Sequence, residues 1–272
     1  MKLNFLTKLL VLNYVLAVVM VVFLYVSGIQ TSLLNNLYGV LFLGFIPLIG
    51  GLNGLILSKH WGYFKSAIGK SIIFLSLGLI SWGLGTYIFS GVYNFLLGVA
   101  VPYPSIADVG YILSIPLWIM GVLQLAKATG AKYGLRSLKG KSLLLIIPIL
   151  VIGISYYLLI TVARDGVIDT SDSEILKLFF DFAYPVGDLL ILTVVTLVYS
   201  LSYRYLGGIF KNAVYLILLG FILMYLADFA FSYTTTTETF YPANWVDLLF
   251  TTAMFIIVLG VSQFTPKTVN QD

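Results

Sequence analysis

The chain has 272 residues, 60% of them hydrophobic and 10% charged, and its 15 basic and 11 acidic residues leave a net charge of +4. Soluble domains carry about 25% charged residues to cover an apolar core. A mean hydropathy of +1.02 with so little charge excludes a soluble enzyme, a nucleic-acid binder and a disordered chain.

A spanning helix needs roughly 20 mostly apolar residues. Eight such stretches lie near residues 9–27, 37–57, 71–93, 106–126, 142–162, 185–203, 212–233 and 245–264. The runs are unbroken rather than alternating with period two, which excludes a strand barrel. The reading is an all-α, polytopic integral membrane protein, a single transmembrane domain over residues 1–272 with loops too short for a soluble domain. Lys2 and Lys8 before the first span resemble the basic start of a signal peptide. Its apolar run of roughly 18 residues exceeds the 7–15 of such peptides, so a retained helix is expected. Pro47, Pro116 and Pro148 fall inside spans, where neighbouring helices can satisfy the freed carbonyls.

Basic residues sort to one side. Thirteen of the 15, in the stretches before span 1, between spans 2 and 3, 4 and 5, 6 and 7, and after span 8, share one face; Arg164 and Lys177 are the other two. The positive-inside rule makes that face, and both termini, cytoplasmic. The Lys127–Lys141 run reads as a topology determinant that touches anionic lipid.

Acids sort the other way, with Asp272 the exception. Asp165, Asp169, Asp172 and Glu174 read as a solvated loop, and Ser171-x-x-Glu174 as a capping box opening an amphipathic segment, residues 175–184, that lies along the interface. Three hairpins repeat a Tyr-Pro…Asp opening motif: Tyr103-Pro104…Asp108, Tyr184-Pro185…Asp188 and Tyr241-Pro242…Asp247. Pro suits the first helical turn, Asp there meets the positive end of the helix dipole, and Tyr favours the headgroup level. Each Asp taken alone is therefore a well-started helix.

Depth argues for more. Asp108, Asp188, Asp228 and Asp247 each lie 16–20 residues from the nearest cytoplasmic Lys or Arg on their own span, about 24–30 Å along a helix. Acids at that depth are costly unless they face partners or a wet cavity, and no intramembrane Lys or Arg accompanies them. The four are expected to share a polar pocket near the outer face. Its ligand-binding candidates are Asp108, Asp188, Asp228, Asp247, Tyr103, Tyr184, Tyr241, Asn244 and Trp245, with Pro104, Pro185 and Pro242 as structural elements of the motif. Asn94, Tyr111 and Tyr233 are near enough in sequence to line it. A cation or a hydroxyl-rich ligand suits such a pocket. Trp82 beside Gly83 and Gly85 reads as close helix packing.

Other chemistry is thin. The absence of Cys removes disulfides, thiolate catalysis and zinc–sulfur sites. One His, His60, leaves no imidazole pair for metal or haem and reads as an interfacial residue. HExxH, GxSxG and a phosphate-binding loop are missing from the sequence. No catalytic residue, metal or cofactor is expected.

The stretch from Tyr103-Pro-Ser-Ile-Ala-Asp108 through Val-Gly-Tyr-Ile-Leu113, with Tyr184-Pro-Val-Gly-Asp188, resembles the multi-pass membrane sensory region that precedes output domains in some archaeal and bacterial histidine kinases and diguanylate cyclases. The resemblance covers most of spans 3–8. It implies a membrane-embedded input domain, with Pro104, Asp108, Pro185 and Asp188 as shared positions. The departure is the end at Asp272, eight residues after span 8, with no kinase or cyclase following. The expectation is therefore a non-enzymatic sensory or ligand-binding input module in a prokaryotic cytoplasmic membrane. Besides the bilayer it works with a separate signalling protein or a second copy of itself, and not with nucleic acid. The alternatives are a small-solute or cation transporter and a structural or assembly subunit.

Overall fold

The computed structural model describes residues 5–162, 166, 175–202 and 210–265. Among these every regular element is helical, and eight helices are long and apolar enough to cross a membrane. They are α1 (Phe5–Val26), α2 (Leu33–Trp61), α3 (Ala67–Leu97), α4 (Ile106–Ala128), α5 (Leu138–Val162), α6 (Ile175–Ser202), α7 (Phe210–Thr236) and α8 (Trp245–Ser262). The protein is a multi-pass helical membrane protein. All eight predicted spans are present. Helix α2 outruns its expected limits through helical turns at Leu33–Tyr38 and Lys59–Trp61, and α3 is carried on by wide i→i+5 turns over Tyr87–Leu97.

Six helices close a ring: α2 packs on α3, α3 on α4, α4 on α6, α6 on α7, α7 on α8 and α8 on α2. Helices α1 and α5 lean on its outside, α1 against α2 and α8, α5 against α6 and α7. Within the ring the order of neighbours repeats after four helices, and its two most extensive interfaces, α3–α4 and α7–α8, correspond, while α1 and α5 differ in their second partner.

Small residues make those two interfaces close. A Cβ on Gly220 would stand 2.4 Å from Ile257 Cγ1, and one on Gly260 2.7 Å from Ile217 Cγ1. In α3, a Cβ on Gly78 would stand 2.3 Å from the Trp118 indole. In lipid the driving force for helix association is this close packing, since tails are as apolar as Leu.

Both ends of the ring are cross-tied. At the end carrying Lys59, Lys65, Lys127 and Lys211, the Trp61 indole N–H donates to the Phe264 carbonyl (2.7 Å), and Thr129 and Ser202 share a hydroxyl hydrogen bond (2.9 Å). At the opposite end Asn35 Nδ2 donates to the Pro242 carbonyl (3.0 Å), and a turn below, Tyr38 pairs with Thr251 (2.9 Å). Lys2, Arg164, Arg204 and Lys267, the loop acids Asp165, Asp169, Asp172 and Glu174 with the Ser171-x-x-Glu174 capping box, and Asp272 lie outside the described residues.

The three Tyr-Pro…Asp stretches are not equivalent. Pro104 and Pro242 lie in loops, ahead of the N-caps Ser105 and Asn244, rather than in the first turn. Pro185 lies inside α6, a continuous helix of 28 residues. The segment 175–184, expected as a separate interfacial piece, is instead the first part of that helix. A proline ring carries a helical φ and forfeits one i→i−4 hydrogen bond, so the helix runs through it when its neighbours hold both halves.

Candidate functional site

Inside the ring is a cavity of about 610 Å³. All six ring helices and the two loops at the acidic end contribute to its wall, and all four Asp residues line it. Spacings of three and four residues place side chains on the inward faces: Asp108, Tyr111, Ile115 and Trp118 on α4; Tyr184, Asp188 and Ile191 on α6; Phe221, Met224, Tyr225 and Asp228 on α7. Trp82 and Thr86 of α3 and Asp247 and Phe250 of α8 complete the middle of the wall.

The cavity opens where Pro102, Tyr103 and Thr235 are exposed. It ends at Trp118 and Phe221, both buried, whose rings meet edge to face with centroids 5.4 Å apart. Beyond them the bundle is filled by Leu75, Val122, Leu125 and Ile217.

Asp108 and Asp247 are held by helix-start geometry. Ser105 donates to Asp108 Oδ2 from its backbone N–H (2.6 Å) and its hydroxyl (3.0 Å), while the Tyr184 hydroxyl donates to Oδ1 (2.5 Å). Asp247 Oδ2 accepts the Ala243 N–H at 2.7 Å, and the Asn244 side chain accepts the N–H groups of Val246 and Asp247. Ala243 has φ of 62°, a left-handed conformation unusual for a residue with a Cβ. The Asp247 acceptor is what satisfies its buried N–H.

Asp188 and Asp228 lie in helix interiors, where no free N–H groups are available to them. Asp188 is 14 residues before the end of α6 and Asp228 eight before the end of α7, roughly 21 Å and 12 Å from those ends. Both line the cavity, from two helices that pack on one another. Tyr225 stands near Asp188 with its hydroxyl donating to Ser155 Oγ of α5 (2.9 Å).

Around these acids the wall is aromatic. Trp82 meets Tyr111 and Phe250 with centroids 5.4 Å and 5.9 Å away. The Tyr111 hydroxyl donates to Thr86 Oγ1 (3.4 Å). Trp82 thus has two aspects, since Gly83 and Gly85 beside it pack on Leu48 and Tyr111 as expected while its own ring faces the cavity. No Lys, Arg or His is among the described residues of the lining, and no cluster of three metal-ligating side chains occurs among the described residues.

Tyr103 and Tyr184 are on the wall, as are Pro185 and Pro242. Tyr241, Asn244, Trp245 and Pro104 are not among its lining residues. Asn244 is spent on capping α8, Trp245 is exposed, and Pro104 lies against Phe180 on the outer flank. Asn94 and Tyr111 line the cavity, whereas Tyr233 is exposed away from it. Trp118, Tyr225 and Phe221 are wall residues that the sequence reading passed over. Their signal was present as the three- and four-residue steps from Asp108 and Asp228.

Fold and site together define a class: a multi-pass helical membrane protein with an acid-lined cavity closed at one end. No family model, curated protein or solved structure matches the chain.

Proposed function

We propose that the protein is a membrane-embedded, non-enzymatic ligand-binding input module, and that its cavity takes an organic cation. The observation that carries this is the composition of the wall: four carboxyl groups, no basic side chain and several aromatic faces around about 610 Å³. Ligand pockets occupy roughly 300–1,000 Å³. An ammonium group gains from the carboxylates by charge and from Trp and Tyr faces by cation–π attraction, strongest when desolvated. A hydroxyl-rich neutral ligand uses the same Tyr, Thr and Asp groups less fully.

Lysines at the opposite end of the bundle support a cytoplasmic placement of that end and of both termini, by the positive-inside rule. The mouth then faces outward from a prokaryotic cytoplasmic membrane. The resemblance to sensory regions of histidine kinases and diguanylate cyclases agrees with a receptor whose cytoplasmic end reports occupancy to a separate signalling protein or a second copy.

The test is thermal unfolding of the purified chain in nanodiscs with 2-phenylethylamine as the probe cation and 2-phenylethanol as its neutral counterpart. Saturable stabilisation by the amine, lost when Asp108, Asp188 and Asp247 are replaced by Asn, is the expected result. Equal shifts in the triple variant contradict the reading.

A transporter is the second reading, and the four-helix repeat in the packing favours it, since transporters are commonly built from repeats around a central site. The Trp118–Phe221 closure favours a receptor. Amine flux in proteoliposomes separates the two: a receptor binds without flux.

A further inference from the structure

Helix α1 lies over the seam between α8 and α2. By the four-helix repeat the corresponding seam is α4–α6, and α5 is the helix that would lie over it. Helix α5 leans instead on α6 and α7, where its Ser155 accepts a hydrogen bond from Tyr225 (2.9 Å). The outside of the α4–α6 seam carries a groove of about 390 Å³, with Pro104, Ile106 and Val109 on the α4 side, Phe180 of α6 opposite and Tyr93 of α3 at its edge. Ile106 and Val109 are exposed. Val109 is 18 residues from Lys127, about 27 Å along α4. The groove therefore faces lipid at the acidic-end edge of a hydrocarbon layer about 30 Å thick.

A single layer of residues separates this groove from the cavity. Pro102 and Ser105 line both. Behind them Asp108 Oδ2 accepts from Ser105 at the start of its own helix, and Oδ1 accepts the Tyr184 hydroxyl of α6 (2.5 Å). Deeper in the seam a Cβ on Gly187 would stand 2.4 Å from Ile115 Cδ1, and at the basic end Ser202 pairs with Thr129 (2.9 Å). The lower seam is thus closed by tight packing, whereas at the level of the groove it is latched by the Tyr184–Asp108 hydrogen bond.

We infer that the α4–α6 seam is a lateral entrance from the bilayer, and that the ligand is a lipid-dissolved amphipathic ammonium of the single-chain alkylamine class. This rests on the cation reading above and deepens it. Such a molecule keeps its charged head at the headgroup level and its apolar chain in the hydrocarbon. The cavity has the same polarity along the same direction. Asp108 and Asp247 stand in the opening turns of their helices, and Ile115 and Trp118 line the wall seven and ten residues beyond Asp108, the latter about 15 Å deeper. An alkylamine therefore passes sideways from lipid to cavity without turning over. Its N–H groups replace the Tyr184 hydroxyl at Asp108 Oδ1, one hydrogen bond exchanged for another, and its chain comes to lie against Ile115, Phe221 and Trp118. An ammonium held among carboxylates in a low-dielectric site is bound by charge as well.

The test is rapid mixing of the nanodisc-embedded chain with decylamine brominated at its chain end, which quenches indole fluorescence on contact. In a Trp245→Phe background Trp82 and Trp118 report from the cavity, while Trp61 lies at the basic end. Ile106→Phe with Val109→Phe fills the groove with apolar bulk at two residues outside the cavity lining. Saturable quenching is expected to develop about tenfold more slowly in that variant, with the concentration for half-maximal quenching unchanged. Tyr184→Phe removes the latch and is expected to speed both association and release severalfold. Saturable quenching whose rate is indifferent to either change overturns the lateral entrance and leaves the cation reading standing. Stabilisation by 2-phenylethylamine without saturable quenching by the brominated amine overturns the lipid-dissolved ligand class alone. No response to either amine overturns the binding function together with its entrance.

Discussion

Asp108 and Asp247 line the same cavity as Asp188 and Asp228, but the two sets are held by different physics. The first two stand in the opening turns of α4 and α8, where free N–H groups and the positive end of the helix dipole await an acid. Each accepts a backbone N–H from its own loop. They would be stabilising on any helix of this kind, with or without a ligand. Asp188 and Asp228 have no such support. They stand in helix interiors on the cavity wall, and acids placed so cost stability in lipid unless a partner or a wet cavity meets them. The difference separates acids that build the cavity from acids that equip it.

Substitutions can break or sharpen this division. The largest effect is expected from Asp108→Ala, which strands the Ser105 N–H and the Tyr184 hydroxyl and should lower unfolding stability by about 2–3 kcal/mol, measured by reversible denaturation in mixed micelles. Asp247→Ala belongs to the same group, with about 1–2 kcal/mol expected from the orphaned Ala243 N–H. Tyr184→Phe removes one donor from Asp108 and should cost about 1 kcal/mol, read in the same denaturation assay. For the acids in the helix interiors the expectation reverses. Asp188→Asn with Asp228→Asn removes charge and keeps polar side chains of the same size, so stability should stay within about 0.5 kcal/mol of wild type while the amine-induced shift disappears. A loss as large as that of Asp108→Ala would place these two acids among the structural ones. Smallest of all is Trp245→Ala, a surface change expected within about 0.5 kcal/mol and without effect on amine binding.

Much of this was legible in the residues, and the failures have definite causes. Eight spans follow from the length and apolarity of the runs alone, because the bilayer sets a length that a helix must match. The convergence of four acids at one depth also follows from counting residues to the nearest base. What went astray was the local geometry of the motif. Tyr184-Pro185 reads as a helix start because Pro is favoured there, yet α6 begins at Ile175 and passes through it. That error hid the fact that Asp188 has no helix end to sit on. Trp245 and Asn244 were assigned to the pocket by nearness in the chain. Two residues along a helix turn the side chain by about 200°, so Trp245 faces away when Asp247 faces in. The aromatic wall of Trp82, Trp118 and Phe221 depends on which faces of α3, α4 and α7 meet. In a chain this uniformly apolar, hydrophobic periodicity does not reveal that.

The most direct test is calorimetric titration of 2-phenylethylamine into the nanodisc-embedded chain and into its Asp188→Asn, Asp228→Asn double variant. The account predicts saturable binding at one site in the wild-type protein and none in the folded double variant. Equal binding by both, or no binding by the wild-type chain, would contradict it.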